Sequence, residues 1–485
     1  SVCLLSMDDA KQSNTLQSKT RSSFKKRKRK RQSIRRIWSR DLSSLATNTL
    51  RMVIATLQIS SLMNSNSTNN DDDDDDEGDD ISFNSQQILA HIPDIVLNNL
   101  NNLIDSNGNT RIPNEHTYQH TTLLFLDVSG FTVLTEQYSN DAHLGIDQLT
   151  HTLNTYFDRL VSSILLHYGD IYKFAGDAIL ALWTNEQTGP EQALKCAINL
   201  QEKFGTYQTD IGVVLRLKIA LAYGCVQALF IGTDEFKHYI LTGDCVKHVN
   251  ICEQLCVAGD IILTKSVYDR VRTSSYCCEF RPIDDGEHIA VKYLESIDNH
   301  ISGDDDDDER ERIQLNERLT NSNFDLLNEN HRSSSINSLM NVDDDFCTKI
   351  DNLIPSFLLR CVYQRIERRQ SLDYLSELRR VTITFINLDI SNEQSTELNL
   401  QQSMQQIFID IYELTKMMGG VLTKGLVFDK GWSFLCVFGL PGYKQGDDTA
   451  NALKCANMIH STLTKQHSLI RQCTIDACLF ASFYC

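Results

Sequence analysis

The sequence predicts an α+β fold of the ferredoxin-like kind, built twice in tandem. Two observations carry this: a strand, helix, hairpin, helix, strand pattern, and its recurrence about 260 residues later with the spacing kept. The apolar strand Thr122 to Val128 (TLLFLDV) is followed by the strand-turn-strand Gly169 to Trp183 and then by a helix carrying Ala193 to Ala197 (ALKCA). In the repeat, Thr382 to Leu388 (TITFINL) precedes Gly419 to Gly439, and ALKCA returns at Ala452 to Ala456. From Asp127 to Cys196 is 69 residues; from its counterpart Asn387 to Cys455 is 68.

Between first strand and hairpin, Leu149, Leu153, Phe157, Leu160 and Ile164 recur at helical steps, as do Ile407, Ile411 and Leu414. The hairpins leave no room for a crossover helix, so their strands are antiparallel. The expected unit is a sheet with helices on one face, and two units in tandem put any sites at their mutual interface.

Charge divides the 485 residues further. Lys25 to Arg36 holds nine basic residues in twelve and Asp71 to Asp80 nine acids in ten, so residues 1–85 are expected to be a disordered charged arm. The basic block reads either as a nuclear-import or anionic-surface patch or as a tail neutralised by its acidic neighbour. The expected domains are residues 86–296 and 346–485, joined by an acidic, polar linker at 297–345. Sixty-four acids against 46 bases, a formal charge of -18, argue against nucleic-acid binding as a global property. The longest early apolar run, Met52 to Met63, is too short for a membrane span. Fifteen cysteines, mostly inside apolar runs, fit a reducing, cytoplasmic compartment, to which the basic arm could add a nuclear address. The chain opens on Ser1, which suggests a fragment.

Two acids stand in unusual settings. Asp127 ends an apolar strand before Ser129-Gly130-Phe131-Thr132, and Asp177 occupies the hairpin tip after Gly176. On neighbouring strands the two carboxylates would share one sheet edge, a setting for oxygen ligation of hard divalent cations; turn-capping aspartates are the other reading. The turn with Gly130 could offer backbone N–H groups to a phosphate. Cys252-x-x-x-Cys256 with His248 falls at helical spacing and reads as packed core rather than a zinc site.

FLDVSGFTVLTEQYS with YKFAGDAILALW resembles the class III nucleotidyl cyclases, and KHYILTGDCVKHVNICEQL continues the likeness. KGLVFDKGWSFLCVFGLPG resembles one branch, the soluble, bicarbonate-responsive adenylyl cyclases of animals. The resemblance implies an intramolecular pseudo-dimer converting ATP to cyclic AMP and pyrophosphate. It implies two Mg2+ ions, for which Mn2+ could substitute, on Asp127, Asp177 and the Val128 carbonyl. It also implies phosphate contacts from Ser129, Gly130, Phe131, Thr132 and Lys218, and adenine recognition by Lys424. An edge-strand lysine is the other reading of Lys218. The second half has Asn387 for Asp127 and, near the place of Asp177, Trp432. The degenerate site this leaves resembles a bicarbonate pocket, with Lys173 as anion contact and backbone help from Leu241 and Val427. Asn250 stands where the family has an arginine, which weakens that pocket. The chain stops at the counterpart of Leu229, so the equivalents of Phe230 to Leu294, with a family N-x-x-x-R segment, are expected to be missing and the chain nearly inactive by itself. The alternative function is a catalytically incompetent nucleotide-binding regulator or scaffold.

Overall fold

The computed structural model describes residues 92–293, 353–368 and 381–480, apart from gaps at 106–108, 141–144, 176, 273–277, 284–285, 391–396, 429–430 and 441. The charged arm expected at 1–85 and the linker at 297–345 lie outside the described residues.

Two short helices, α1 (Asp94–Leu97) and α2 (Leu100–Leu103), open the described chain. They lead into β1 (Asn114–Ser129), α3 (Phe131–Asn140) and the long α4 (Gly145–Leu166). The hairpin β2 (Asp170–Ala175) and β3 (Ala178–Trp183) comes next, then α5 (Gly189–Phe204), which carries the first ALKCA. A short β4 (Thr206–Gln208) precedes β5 (Val214–Gly232) and β6 (Lys237–Thr242). The first half closes with α6 (Asp244–Leu255), β7 (Ile261–Thr264), α7 (Lys265–Val271), β8 (Cys278–Pro282) and β9 (His288–Tyr293).

After a 3-10 turn at Ile354–Phe357 and α8 (Arg360–Glu367), the pattern repeats: β10 (Val381–Ile390), α9 (Glu397–Met417), β11 (Gly420–Phe428), β12 (Gly431–Phe438), α10 (Asp448–Gln466) and β13 (Ile470–Phe480). The strand orders correspond: β2-β3-β1-β5 in the first sheet, β11-β12-β10-β13 in the second. Both hairpins are antiparallel, as their short connections require. The first sheet is mixed, because β7 joins β5 in parallel.

Helices on one face was the expectation, and for the first half it is wrong. One face of the sheet packs α4, α5 and α7 through Leu153, Phe157, Leu160, Leu194, Leu200 and Val267. The other packs α1, α2, α6 and the 353–358 segment through Leu100, Val246, Val249, Ile354 and Phe357. The physical reason lies in β1 and β5. Thr121 to Leu126 and Ile219 to Tyr223 are buried without interruption, and a strand whose both sides are apolar must be covered on both faces.

The two halves share a third core. Leu229 and Ile231 of β5, with Phe236 and Ile240 from the β5–β6 connection and β6, pack among Ile407, Phe408, Ile411, Leu422 and Phe434 of the second half. Phe236 stacks on Phe408 and Tyr412 at centroid distances of 6.3 and 6.2 Å. The Gln405 side-chain amide then satisfies the end of β5 twice: Nε2 donates to Gly232 O at 2.6 Å and Gly232 N donates to Oε1 at 2.9 Å. At the crossing, Gly425 has no side chain because a Cβ there would lie 2.9 Å from Ile240 Cδ1.

Candidate active site

The sheet register brings the two predicted acids together. Asp127 of β1 stands opposite Ala178 of β3, so Asp177 lies one residue beyond the position facing it. Asp177 is buried and Asp127 retains about a fifth of its side-chain exposure. Pairing of β1 with β3 ends at Asp127, leaving Val128 and Ser129 just past the last rung. Two carboxylates with the neighbouring Val128 carbonyl are all-oxygen donors, and that chemistry fits a hard divalent cation.

Beyond them the chain turns into α3. Gly130 has φ +97°, and a Cβ there would lie 2.7 Å from Val214 O, so the turn requires glycine. Phe131 buries its ring at the start of α3, which fixes the turn against the core. Ser129 and Thr132 remain partly exposed at the same edge as Asp127.

Lys218 is the cross-strand partner of Asp127 on β5. Its Nζ lies 3.4 Å from Asp127 Oδ2 and 3.6 Å from Glu253 Oε1 of α6. Burial alone would lower the Lys218 pKa; the two carboxylates outweigh it and raise it. The edge-strand reading of Lys218 is corrected here. β5 runs between β1 and β7, so the lysine is interior to the sheet and its charge answers to acids, not to an exposed ladder.

Lys173 and Lys424 form a second cluster, at the crossing of β2 and β11. Each follows a bulge at the same place in its hairpin, after Ile171 and after Leu422. Each donates to the carbonyl of the residue after the other: Lys173 Nζ to Gly425 O at 2.8 Å, Lys424 Nζ to Phe174 O at 3.0 Å. Lys173 also donates to Tyr239 O at 2.6 Å and approaches His238 Nε2 at 3.1 Å, with the Tyr172 and Tyr239 rings 4.9 and 4.7 Å from its ammonium. His238 Nε2 accepts the Gly425 N–H at 2.8 Å. Burial, then the Lys173 charge, hold its pKa well below the ordinary histidine range, which agrees with that acceptor role. Burial draws Lys424 down to about 7. Burial and the neighbouring Lys424 also draw Lys173 down.

Of the other predicted anion contacts, Leu241 reaches this cluster through Tyr172. Leu241 N donates to the Tyr172 hydroxyl at 2.9 Å, and Val427 stands opposite Trp432 in the second hairpin. Asn250 is buried on α6. In the second half Asn387 takes the register place of Asp127 and accepts the Ser433 hydroxyl at 2.7 Å, while Trp432 takes that of Asp177. Cys252 and Cys256 are buried in the core, and among the described residues no group of three or more His, Cys, Asp or Glu is placed to hold a metal ion.

Sequence reasoning missed Glu253, His238 and Gln405. Each acts on a residue distant in the chain. For Glu253 and Gln405 no local pattern marks this; for His238 the alternation of His238 with Ile240 on a strand put both on one face.

Residues 114–292 match the family described as adenylate and guanylate cyclase catalytic domain. The chain is 29% identical over 389 residues to adenylate cyclase type 10 of Oryctolagus cuniculus and 28% identical over 394 residues to that of Homo sapiens. Each alignment covers 79% of this chain and 23% of the relative, so the chain spans about a quarter of their length. The catalytic core of a rhodopsin-guanylyl cyclase with converted specificity, solved in complex with ATPalphaS, superposes with a TM-score of 0.32 and 21% identity. That alignment covers 37% of this chain and 98% of the solved one. Residues 114–292, which hold the paired strand-end aspartates and the cross-strand lysine, are thus similar to the adenylate and guanylate cyclase catalytic domain family.

Proposed function

We propose that this chain is the catalytic portion of a cytoplasmic adenylyl cyclase, in which residues 86–296 and 346–485 pair as an intramolecular pseudo-dimer and ATP is converted to cyclic AMP and pyrophosphate between them. The observation that carries this is the asymmetry of equivalent register places: Asp127 and Asp177 in one half, Asn387 and Trp432 in the other. One half keeps the acids that oxygen-liganded metal needs, and the other does not.

Asp127, Asp177 and the Val128 carbonyl would hold two Mg2+ ions, or Mn2+ in their stead. Bound there, such ions make the ribose 3'-hydroxyl easier to deprotonate and offset the charge of the triphosphate. The chain's own groups do the rest. Backbone N–H groups of Ser129, Gly130, Phe131 and Thr132 bind phosphate oxygens at the turn, and Lys218 adds a positive charge to the triphosphate. Lys424 donates to the adenine edge once it leaves Phe174 O, which favours ATP over a base that leaves the donor unpaired. In the second cluster Lys173, with the backbone at Leu241 and Val427, takes up bicarbonate; Asn250 supplies no charge, so this anion binds weakly.

The test is binding of Mn2+·ATP to the parent and to Asp127→Ala and Asp177→Ala, alongside thermal melts. Each substitution should weaken binding by roughly ten-fold or more, with the melts used to confirm that each variant is folded. Affinity within two-fold of the parent for either variant would overturn the metal assignment.

A further inference from the structure

Glu253 has no assigned part in the chemistry, yet its placement calls for one. It lies in the last turn of α6, where an acid opposes the helix dipole. Its carboxylate is a quarter exposed and 3.6 Å from Lys218 Nζ. Lys218 therefore hangs between two acids on different elements, 3.4 Å from Asp127 on its neighbouring strand and slightly farther from Glu253 on the covering helix.

A cation entering at Asp127 meets Lys218 already at Oδ2. Two positive charges at one carboxylate repel, so the lysine must leave for the metal to bind well. Without a second acid nearby, that departure would strand an ammonium that the surrounding helix partly shields from water. We infer that Glu253 is a positioning residue that takes Lys218 from Asp127 when a divalent cation binds, clearing Oδ2 for the metal and holding the lysine beside it for the triphosphate. This rests on the proposed metal role of Asp127.

The roles can be separated by measuring Mn2+ affinity without nucleotide, by electron paramagnetic resonance, on the parent, Glu253→Gln, Lys218→Met and the double variant, with circular dichroism melts confirming that each is folded. Glu253→Gln should weaken Mn2+ binding by about five-fold, the scale of a partly exposed ion pair. Lys218→Met should strengthen it by a similar factor, and the double variant should match Lys218→Met alone. Glu253→Asp should recover part of the loss. If Glu253→Gln weakens Mn2+ equally in the Lys218→Met background, the carboxylate acts on the metal directly and the inference fails; it fails also if Glu253→Gln leaves Mn2+ affinity unchanged. Mn2+ binding that survives Asp127→Ala would instead remove the underlying metal assignment, a different outcome from either.

Discussion

Lys424 makes stability depend on pH in a direction that can be worked out. The side chain is 5% exposed, and burial brings its pKa to about 7, against about 10.4 for lysine in an unfolded chain. Below the folded value both states are protonated, and the folded state carries the full cost of a buried charge. Between the two values the unfolded chain holds a proton that the folded chain has shed, so stability rises with pH. From about pH 7 to about pH 9 the gain from this one group is about 2 kcal/mol. Lys424→Met removes it. The substitution also removes the bond to Phe174 O, but a neutral amine keeps that bond at every pH, so the loss is a constant offset and not a slope. Urea unfolding of parent and variant across this range gives the difference curve, in which groups common to both largely cancel. Lys173 does not cancel fully, because Lys424 helps to draw it down; its share of the difference has the same sign. The parent should gain on Lys424→Met as pH rises. Parallel curves would refute the reasoning and mean that Lys424 stays charged across the range or is hydrated where it lies.

Three further outcomes are expected. Gly130→Ala must place a Cβ at 2.7 Å from Val214 O with φ at +97°, and should lower stability by about 1–3 kcal/mol in a denaturant titration while also weakening Mn2+·ATP binding. Gln405→Ala leaves both polar groups of Gly232 without their side-chain partner and should cost about 1–3 kcal/mol, read from the urea midpoint. Bicarbonate, titrated at fixed pH and ionic strength, should raise the melting temperature only slightly, because the anion must displace Tyr239 O, Gly425 O and His238 from Lys173; Asn250→Arg should enlarge the shift and Lys173→Ala abolish it, and a shift that survives Lys173→Ala places the anion elsewhere.

Much of this arrangement was legible in the chain because it is periodic or repeated. ALKCA and the strand spacing fixed the correspondence of the two hairpins, and that correspondence put Asp127 with Asp177 and Asn387 with Trp432 before any contact was known. The long α4 and α9 follow from apolar steps of three and four. What stayed hidden depends on which surfaces meet. The apolar runs in β1 and β5 implied burial on two sides, yet nothing local says that α6 and residues 353–358 supply the second cover. Lys173 and Lys424 read as polar residues on hairpin strands, since the groups around them, such as Tyr239 and Gly425 for Lys173 and Phe174 for Lys424, are distant in the chain. Glu253 is one acid among 64 until α6 is laid over β5.

The paired lysines have one more consequence. A contact in which Lys173 serves the residue after Lys424, while Lys424 serves the residue after Lys173, has the reciprocity of an isologous interface. In a homodimer every substitution strikes such a contact twice, because one gene supplies both sides. Here the two sides are separate codons. A change at Lys424 leaves the Lys173 bond standing, and a change at Asn387 or Trp432 touches neither. The chain can thus hold its halves together by a symmetric device while the chemistry on either side of it drifts apart, which a self-paired protein could not do without losing both copies at once.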